Sequence, residues 1–501
     1  MNLRLHNPTN NGGDLISANS KNTIPLWIVW AQCTCFAVLY SIWNYPLTNF
    51  LSDLCLVIGA LLSVYVLYIN RSFFKSREAI PFWLLIILLA WIVFHLLFLS
   101  NNFPLQLREL STIWKRVVTA IIFALGFGIA LVNSAPKKGF WVLFYLGMQM
   151  PALIFLGKYA LSGFAPHYGW VIPDYLKIYD GRSSVFYMYK TDYVSFCLPA
   201  LALSLAQLKM NLDQSRVFVA ANLVYLTSLL AVLIVFFLDN IKNGIAYSVI
   251  LIAAFIVLVL NSQLNMAAST RFTAATLKLL LLKFLVVLMV VTISTPILIR
   301  HVEQNPSWKS LLADSQVAVQ IDQIDNWKYW GGKGYPFNKY GVPVSATNYE
   351  RLAWGIAGLH FVGENPLGYG LVENSYGYIT KAKWPDSRMT QTHSGWLDLT
   401  LGIGIPGVGL ILGALSLIMY WTAQNSHKND VHSQQVIWSS RLTWVLWVLV
   451  LLWCTSEISL KIHLIALMFW ISLSAGIGCR SACRSTTCIN TMSGLGLSNR
   501  S

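Results

Sequence analysis

Apolar positions run in long blocks along most of the chain, broken by short polar clusters. A helix that crosses a bilayer needs about 20 mostly apolar residues. Twelve blocks qualify: 25–44, 47–69, 80–100, 117–134, 140–162, 192–209, 217–238, 244–263, 279–299, 396–423, 440–457 and 460–479. The weakest signals are 192–209 and the last two blocks. Residues 300–395 form the only long hydrophilic region. The pattern therefore predicts an all-α polytopic membrane protein with about 12 transmembrane helices and one long, partly helical loop. Its parts are an N-terminal tail (1–24), nine spans (25–299), the loop (300–395), three spans (396–479) and a C-terminal tail (480–501).

Composition agrees. The chain is 56% hydrophobic and only 11% charged, against about 25% charged in soluble domains, which excludes a water-soluble enzyme. The net charge of +15 has a membrane explanation, because cytoplasmic loops collect Lys and Arg. Arg71, Lys75, Arg77, Lys137, Lys138, Arg216, Arg271, Lys278, Arg480, Arg484 and Arg500 all fall on the side of the N-terminus in a twelve-span layout. Both ends are then cytoplasmic. Arg108, Lys115 and Arg116 fall on the outer side, the last two at the start of a span, where lysine and arginine stems snorkel. With no basic, aromatic-studded soluble domain, nucleic acid is not an expected partner. The polar N-terminus lacks the short apolar core and cleavage site of a signal peptide. The eight cysteines lie in spans or the tail and suggest neither a disulfide framework nor a zinc site.

The loop is electrically neutral: residues 301–395 carry eight Lys and Arg and eight Asp and Glu. Its five tryptophans, 308, 327, 330, 354 and 384, suit the membrane interface or the faces of sugar rings. Tyr349 to Leu359 has amphipathic helical spacing, with Ser345 or Thr347 placed to cap its start. Glu364-Asn365-Pro366-Leu367-Gly368-Tyr369-Gly370 reads as a turn.

No phosphate-binding Gly-Lys loop and no His-Glu-x-x-His metal motif occurs. Gly402-x-Gly404-x-x-Gly407 lies in an apolar run without a preceding strand, so it predicts close helix packing or a bend. The chemistry-bearing groups gather at the outer ends of different spans: Arg182 and Lys190 in the 163–191 loop, Lys242 in the turn 239–243, Arg351 in the long loop, and His393 just before a span. Cations at that depth fit a diphosphate leaving group, and arginine grips it in bidentate fashion. Histidine, with an ordinary pKa of about 6.5, suits a general base. Each group also has a plain structural role open to it. Lys190 and Lys242 serve equally as snorkelling interface lysines, Arg182 as a partner of Asp180 or Asp192, Arg351 of Glu350 or a distant acid, and His393 as a cap.

The stretch Tyr349-Glu350-Arg351-Leu352-Ala353-Trp354, Asn365-Pro366-Leu367-Gly368-Tyr369-Gly370, Thr392-His393-Ser394-Gly395 and Gly402-Ile403-Gly404-Ile405-Pro406-Gly407 resembles the O-antigen ligase family. That family includes lipopolysaccharide O-antigen ligases, some O-antigen polymerases and bacterial protein O-oligosaccharyltransferases. The motif resemblance covers about residues 345–410, and the span layout extends it loosely to most of the chain.

The resemblance implies a membrane glycosyltransferase of lipid-carrier-dependent, GT-C-like architecture in the bacterial inner membrane, with its active site facing the periplasm. It implies an undecaprenyl-diphosphate-linked glycan as donor, lipid A-core as acceptor, and no metal or other cofactor. His393 matches the essential loop histidine, Arg351 the loop arginine, and Arg182 an external arginine before a span. Lys242 stands where the family usually has a further arginine; it keeps the charge and loses the planar fork. Polymerase and protein-glycosylating activities use the same donor and remain the alternatives. A lipid-linked sugar transporter is the rival of another class, with Lys158, Lys283 and His95 in or near spans.

Overall fold

A computed structural model of the 501-residue chain describes residues 24–45, 47–178, 189–217, 219–269, 274–426, 433–456, 458 and 460–478. The described residues are helical, without a strand; the one extended contact is an isolated bridge between Phe337 and Pro343. Every apolar block forms a helix. In chain order these are α1 (Leu26–Ile42), α2 (Asn49–Ile69), α3 (Ile80–Phe98), a short α4 (Phe103–Glu109), α5 (Lys115–Asn133), α6 (Lys138–Tyr168), α7 (Lys190–Asp213), α8 (Ala220–Leu238), α9 (Lys242–Ser269) and α10 (Ala274–Glu303). The loop contributes α11 (Ser307–Ala318), α12 (Ala346–Glu364) and α13 (Ser375–Lys383). The chain then continues through α14 (Gly395–Ser426), α15 (Gln434–Thr455) and α16 (His463–Ile477). Among the described residues ten helices are long and apolar enough to cross a membrane, and α1 and α16 are shorter apolar helices of 17 and 15 residues.

Burial explains why two of the blocks look weak in sequence. The α7 span has the lowest mean hydropathy of the ten, 1.3, and is also the most enclosed. Side chains that face protein rather than lipid have polar partners within reach, as when Ser204 Oγ meets Tyr145 OH at 2.7 Å. The short α16 is buried along its whole length. It crosses α5 so closely that a Cβ on Gly128 would stand 2.3 Å from the Leu473 carbonyl oxygen, and one on Gly476 would stand 2.3 Å from that of Leu125. Small residues are what allow such backbone approach in a membrane bundle.

The long loop folds on its own apolar cluster. Trp327, Tyr349, Trp354, Phe361, Tyr376 and Met389 pack together there, and Leu401 of α14 joins them. Asp314 of α11 is fully buried and accepts hydrogen bonds from Ser310 Oγ (2.7 Å), Asn338 Nδ2 (2.9 Å), Asn348 Nδ2 (2.9 Å) and the Ser345 N–H (3.2 Å). Ser345 occupies the N-cap position of α12, and its backbone carbonyl accepts the Tyr349 N–H.

The loop joins the bundle backbone to backbone. Gly404 adopts a non-helical φ of 75° and kinks α14. The broken turn exposes main-chain groups, which cannot stay unpaired at membrane depth. The Asn-Pro-Leu-Gly-Tyr-Gly turn supplies the partners. The Tyr369 N–H bonds the Leu401 carbonyl (2.7 Å), that of Gly370 the Gly402 carbonyl (2.8 Å), and that of Ile405 the Pro366 carbonyl (2.9 Å). Trp91 Nε1 caps the Ile403 carbonyl at 2.8 Å. From the other side His95 Nε2 meets the Gly368 carbonyl (3.2 Å) while its Nδ1 faces Gln106 Nε2 (3.0 Å). The Glu109 carboxylate accepts the N–H groups of Val372 (2.6 Å) and Glu373 (2.9 Å).

Candidate functional site

His393 precedes α14 in a left-handed conformation, φ 62°. Local capping holds it there. Ser394 Oγ accepts the Leu397 N–H (3.4 Å), and Asp398 Oδ1 of the first turn reaches back to the Thr392 N–H (2.8 Å). The imidazole is stacked on Trp354 of α12. Arg351, one turn earlier on α12, donates from an Nη to Asn243 Oδ1 at 2.6 Å. Asn243 in turn donates Nδ2 to the Thr455 carbonyl (3.3 Å), so the starts of α9 and α12 and the end of α15 are tied together. Lys242 donates to Ser307 Oγ of α11 at 2.6 Å.

These residues border two adjoining cavities. The larger, about 700 Å³, is walled mostly by apolar side chains, among them Trp308, Leu311, Leu352, Ile356, Leu359 and Leu397, and Lys242 and Asn243 face it. The smaller, about 190 Å³, is polar, with Glu350, Thr390 and Gln391 between the rings of Trp330 and Trp354. Thr347, Arg351 and His393 line both. A cation and an imidazole thus stand where a greasy compartment meets a polar one.

Electrostatics follow from that placement. Burial first, and then the neighbouring Arg351 charge, lower the His393 pKa from 6.5 to about 3, so the ring is neutral near pH 7. Burial raises the pKa of Glu350 above its usual 4.5, against a hydrogen bond of 2.7 Å from Tyr335 OH. The charges of Arg351 and Lys190 both bear on Lys242.

Of the residues singled out by sequence, the structure brings His393, Arg351 and Lys242 onto one cavity. Lys190, at the first turn of α7, is held at the Asp239 backbone carbonyl, with the Asp239 carboxylate 3.9 Å away. Arg182 lies outside the described residues, as do Arg271, Arg480, Arg484 and Arg500. Asp192, the partner considered for Arg182, has its Oδ1 3.3 Å from His463 Nε2. His95 is committed to the turn, and Lys158 lies over the Tyr45 ring at 5.1 Å.

Sequence reading did not place Glu350 or Asn243 in the site, and it left Trp330 and Trp354 among five tryptophans suited to the membrane interface or to sugar rings. Spacing held one signal: Glu350 and Trp354 are i and i+4 on α12, and Arg351 and Trp354 are i and i+3, so all three share one side. Among the described residues no group of three or more His, Cys, Asp or Glu is placed to hold a metal ion.

Fold and site define a multi-pass, all-helical membrane protein with a cation-bearing cavity where its long loop meets the bundle. A scan against protein families finds no match to this chain, and a search of curated proteins finds none either.

Proposed function

We propose that the protein transfers a glycan from a polyprenyl-diphosphate carrier to an acceptor hydroxyl at the face of the membrane where the long loop lies, as an O-antigen ligase does. The observation that carries this reading is the shared wall: Arg351 and His393 line both the apolar and the polar cavity, and Lys242 faces the apolar one. The isoprenoid tail lies along the apolar cavity. The diphosphate meets Lys242 and Arg351, joined in this reading by Arg182 and, at the rim, Lys190. The transferring sugar occupies the polar chamber against Trp330 and Trp354.

In the step itself the acceptor oxygen bonds to the anomeric carbon as the bond from that carbon to the diphosphate oxygen breaks. The electron pair leaves on the diphosphate, where the cations stabilise it. His393, neutral near pH 7, takes the hydroxyl proton. The anionic donor also offsets the Arg351 charge that lowers the pKa of the ring, so donor binding raises its basicity. A single displacement inverts the anomeric centre.

The acceptor class is read as lipid A-core in a bacterial inner membrane, with the loop in the periplasm. The test uses a deletion strain complemented with wild type, His393→Asn or an empty vector, and examines its lipopolysaccharide on gels. Bare core with accumulated carrier-linked glycan supports ligation. One-repeat lipopolysaccharide points to polymerisation, and unchanged lipopolysaccharide with unglycosylated exported protein points to protein glycosylation. Purified His393→Asn that transfers at the wild-type rate removes the histidine from the mechanism. Asn tolerates the left-handed backbone that Ala resists, which separates loss of the ring from backbone strain.

A further inference from the structure

The far end of the bundle holds a second cavity, larger than the first, with a buried cation that the transfer reading does not use. It occupies about 1040 Å³ and opens between the end of α5 and the starts of α6, α8 and α15. Helix α15 begins at this cavity, which Arg441 lines, and ends at Thr455 in the loop-side one. Fourteen residues of helix separate those two positions by about 21 Å, so the two cavities open toward opposite ends of the bundle.

Arg441 is 8% exposed. Its guanidinium lies 3.5 Å from the centre of the Trp141 ring and 5.1 Å from that of Trp438, and Nε donates to Gln207 Oε1 at 2.7 Å. No carboxylate pairs with it among the described residues, and its terminal nitrogens make no hydrogen bond there. A buried cation in a span needs a counter-charge. Cation–π contacts supply only part of that compensation, about 2 kcal/mol each when desolvated, and none of it as a neutralising charge. Lys137 and Lys138 line the same cavity and are exposed at its edge, while the remaining wall is mostly apolar.

We infer that this cavity is a binding site for an anionic phospholipid. Its phosphate pairs with Arg441 and with Lys137 or Lys138, and an acyl chain lies along the apolar wall. The phosphate supplies the missing counter-charge, and the aliphatic lining accounts for a lipid rather than a soluble anion. This inference is independent of the glycan-transfer reading, because it concerns the opposite end of the bundle and other residues.

The test delipidates the full-length protein in detergent and offers it equal phosphatidylglycerol and phosphatidylcholine. Native mass spectrometry then reads the ratio of bound lipids. Wild type is expected to retain phosphatidylglycerol several-fold over phosphatidylcholine. Arg441→Gln is expected to bring the ratio close to one, and Lys137→Gln with Lys138→Gln to reduce it partly. The lysine pair is exposed, so it decides the matter if Arg441→Gln fails to fold. Arg71→Gln with Lys75→Gln is the control. These residues are basic and at the same end, where Asn133 bonds Asn70 at 3.3 Å, but they lie outside the cavity. The proposal is overturned by a wild-type ratio near one, by a preference that survives both cavity variants, or by one that the control removes equally.

Discussion

The imidazole of His393 lies flat on the indole of Trp354, with ring centroids 5.1 Å apart and planes 10° from parallel. The contact fixes the face the ring presents to the cavities, on a residue whose left-handed backbone costs about 1–2 kcal/mol. Trp354 is itself fixed, since its Nε1 donates to the Trp327 carbonyl at 2.8 Å. Replacing it separates orientation from packing. Trp354→Leu removes the aromatic face, and stacking of about 0.5–1.5 kcal/mol translates to a loss of up to roughly tenfold in kcat. Trp354→Phe keeps a ring and most of the rate, but leaves the Trp327 carbonyl unpaired and lowers stability by about 1 kcal/mol. Transfer kinetics and thermal melts of both variants check this; equal rates for Leu and wild type would remove the stack from catalysis.

The pH response follows from the same ring. The His393 pKa is lowered from 6.5 to about 3 by burial and then by Arg351. Between those values the unfolded chain binds the proton and the folded site does not, so stability falls as pH drops from 6.5 toward 3. For the free enzyme, kcat/KM is expected to show no acid limb near 6.5. Arg351→Met removes the smaller, charge-based cause and raises the ring's pKa part of the way back. Imidazole resonances of histidine-labelled protein, followed across pH, read both values. A wild-type ring that titrates at 6.5 contradicts the burial argument.

Gly404 and Gly368 form the junction that carries the loop. At Gly404 an added Cβ would stand 2.3 Å from the Leu367 backbone, and at Gly368 2.4 Å from the Gly404 nitrogen, each on a backbone with positive φ. Gly404→Ala therefore adds strain of about 1–3 kcal/mol, since φ 75° with ψ 172° is a region essentially reserved for glycine, to overpacking of about 1–3 kcal/mol. The expected result is a loosened loop on an inserted bundle. Hydrogen exchange rises across 366–373 and 401–405 while α5 and α16 stay protected. Unchanged exchange at the turn would mean that the junction does not hold the loop.

The helices were legible because a bilayer imposes length and apolarity on each span. The enclosed α7 kept enough of both to be found, whereas α16, with 15 residues, kept the apolarity but not the spanning length. Their depth in the bundle was not legible, since hydropathy cannot tell lipid from protein contact. His393 and Lys242 stood out as ionisable groups at span ends, and Arg351 as a cation on a loop helix. Trp354 and Glu350 did not, because an aromatic and an acid on a loop helix have many roles until the fold brings α12 against the start of α14. The Gly-rich run announced a bend. That the bend would be paired to the Asn-Pro-Leu-Gly-Tyr-Gly turn depends on contacts more than thirty residues apart, which spacing does not encode.

Asp314 sets the frame for Lys242 from outside the site. Burial opposes its charge, but hydrogen bonds from Ser310, Asn338, Asn348 and the Ser345 N–H outweigh that and hold its pKa below 3.8. A carboxylate with a lowered pKa stabilises the fold above its unfolded value, about 3.9, and loses that contribution as pH falls through the folded one. Asn348 also donates to the Ser307 carbonyl (2.8 Å), and Ser307 Oγ receives Lys242. Asp314→Asn points an amide donor at a ring of donors, and with about 1.5–3 kcal/mol for each charged hydrogen bond it is expected to cost at least about 3 kcal/mol. Ser310→Ala, which removes one donor, is expected to cost about 1.5–3 kcal/mol on the same scale. If α11 holds Lys242 in place, Asp314→Asn raises the donor KM more than it lowers kcat. A variant that melts earlier yet keeps the wild-type KM confines Asp314 to the stability of the loop.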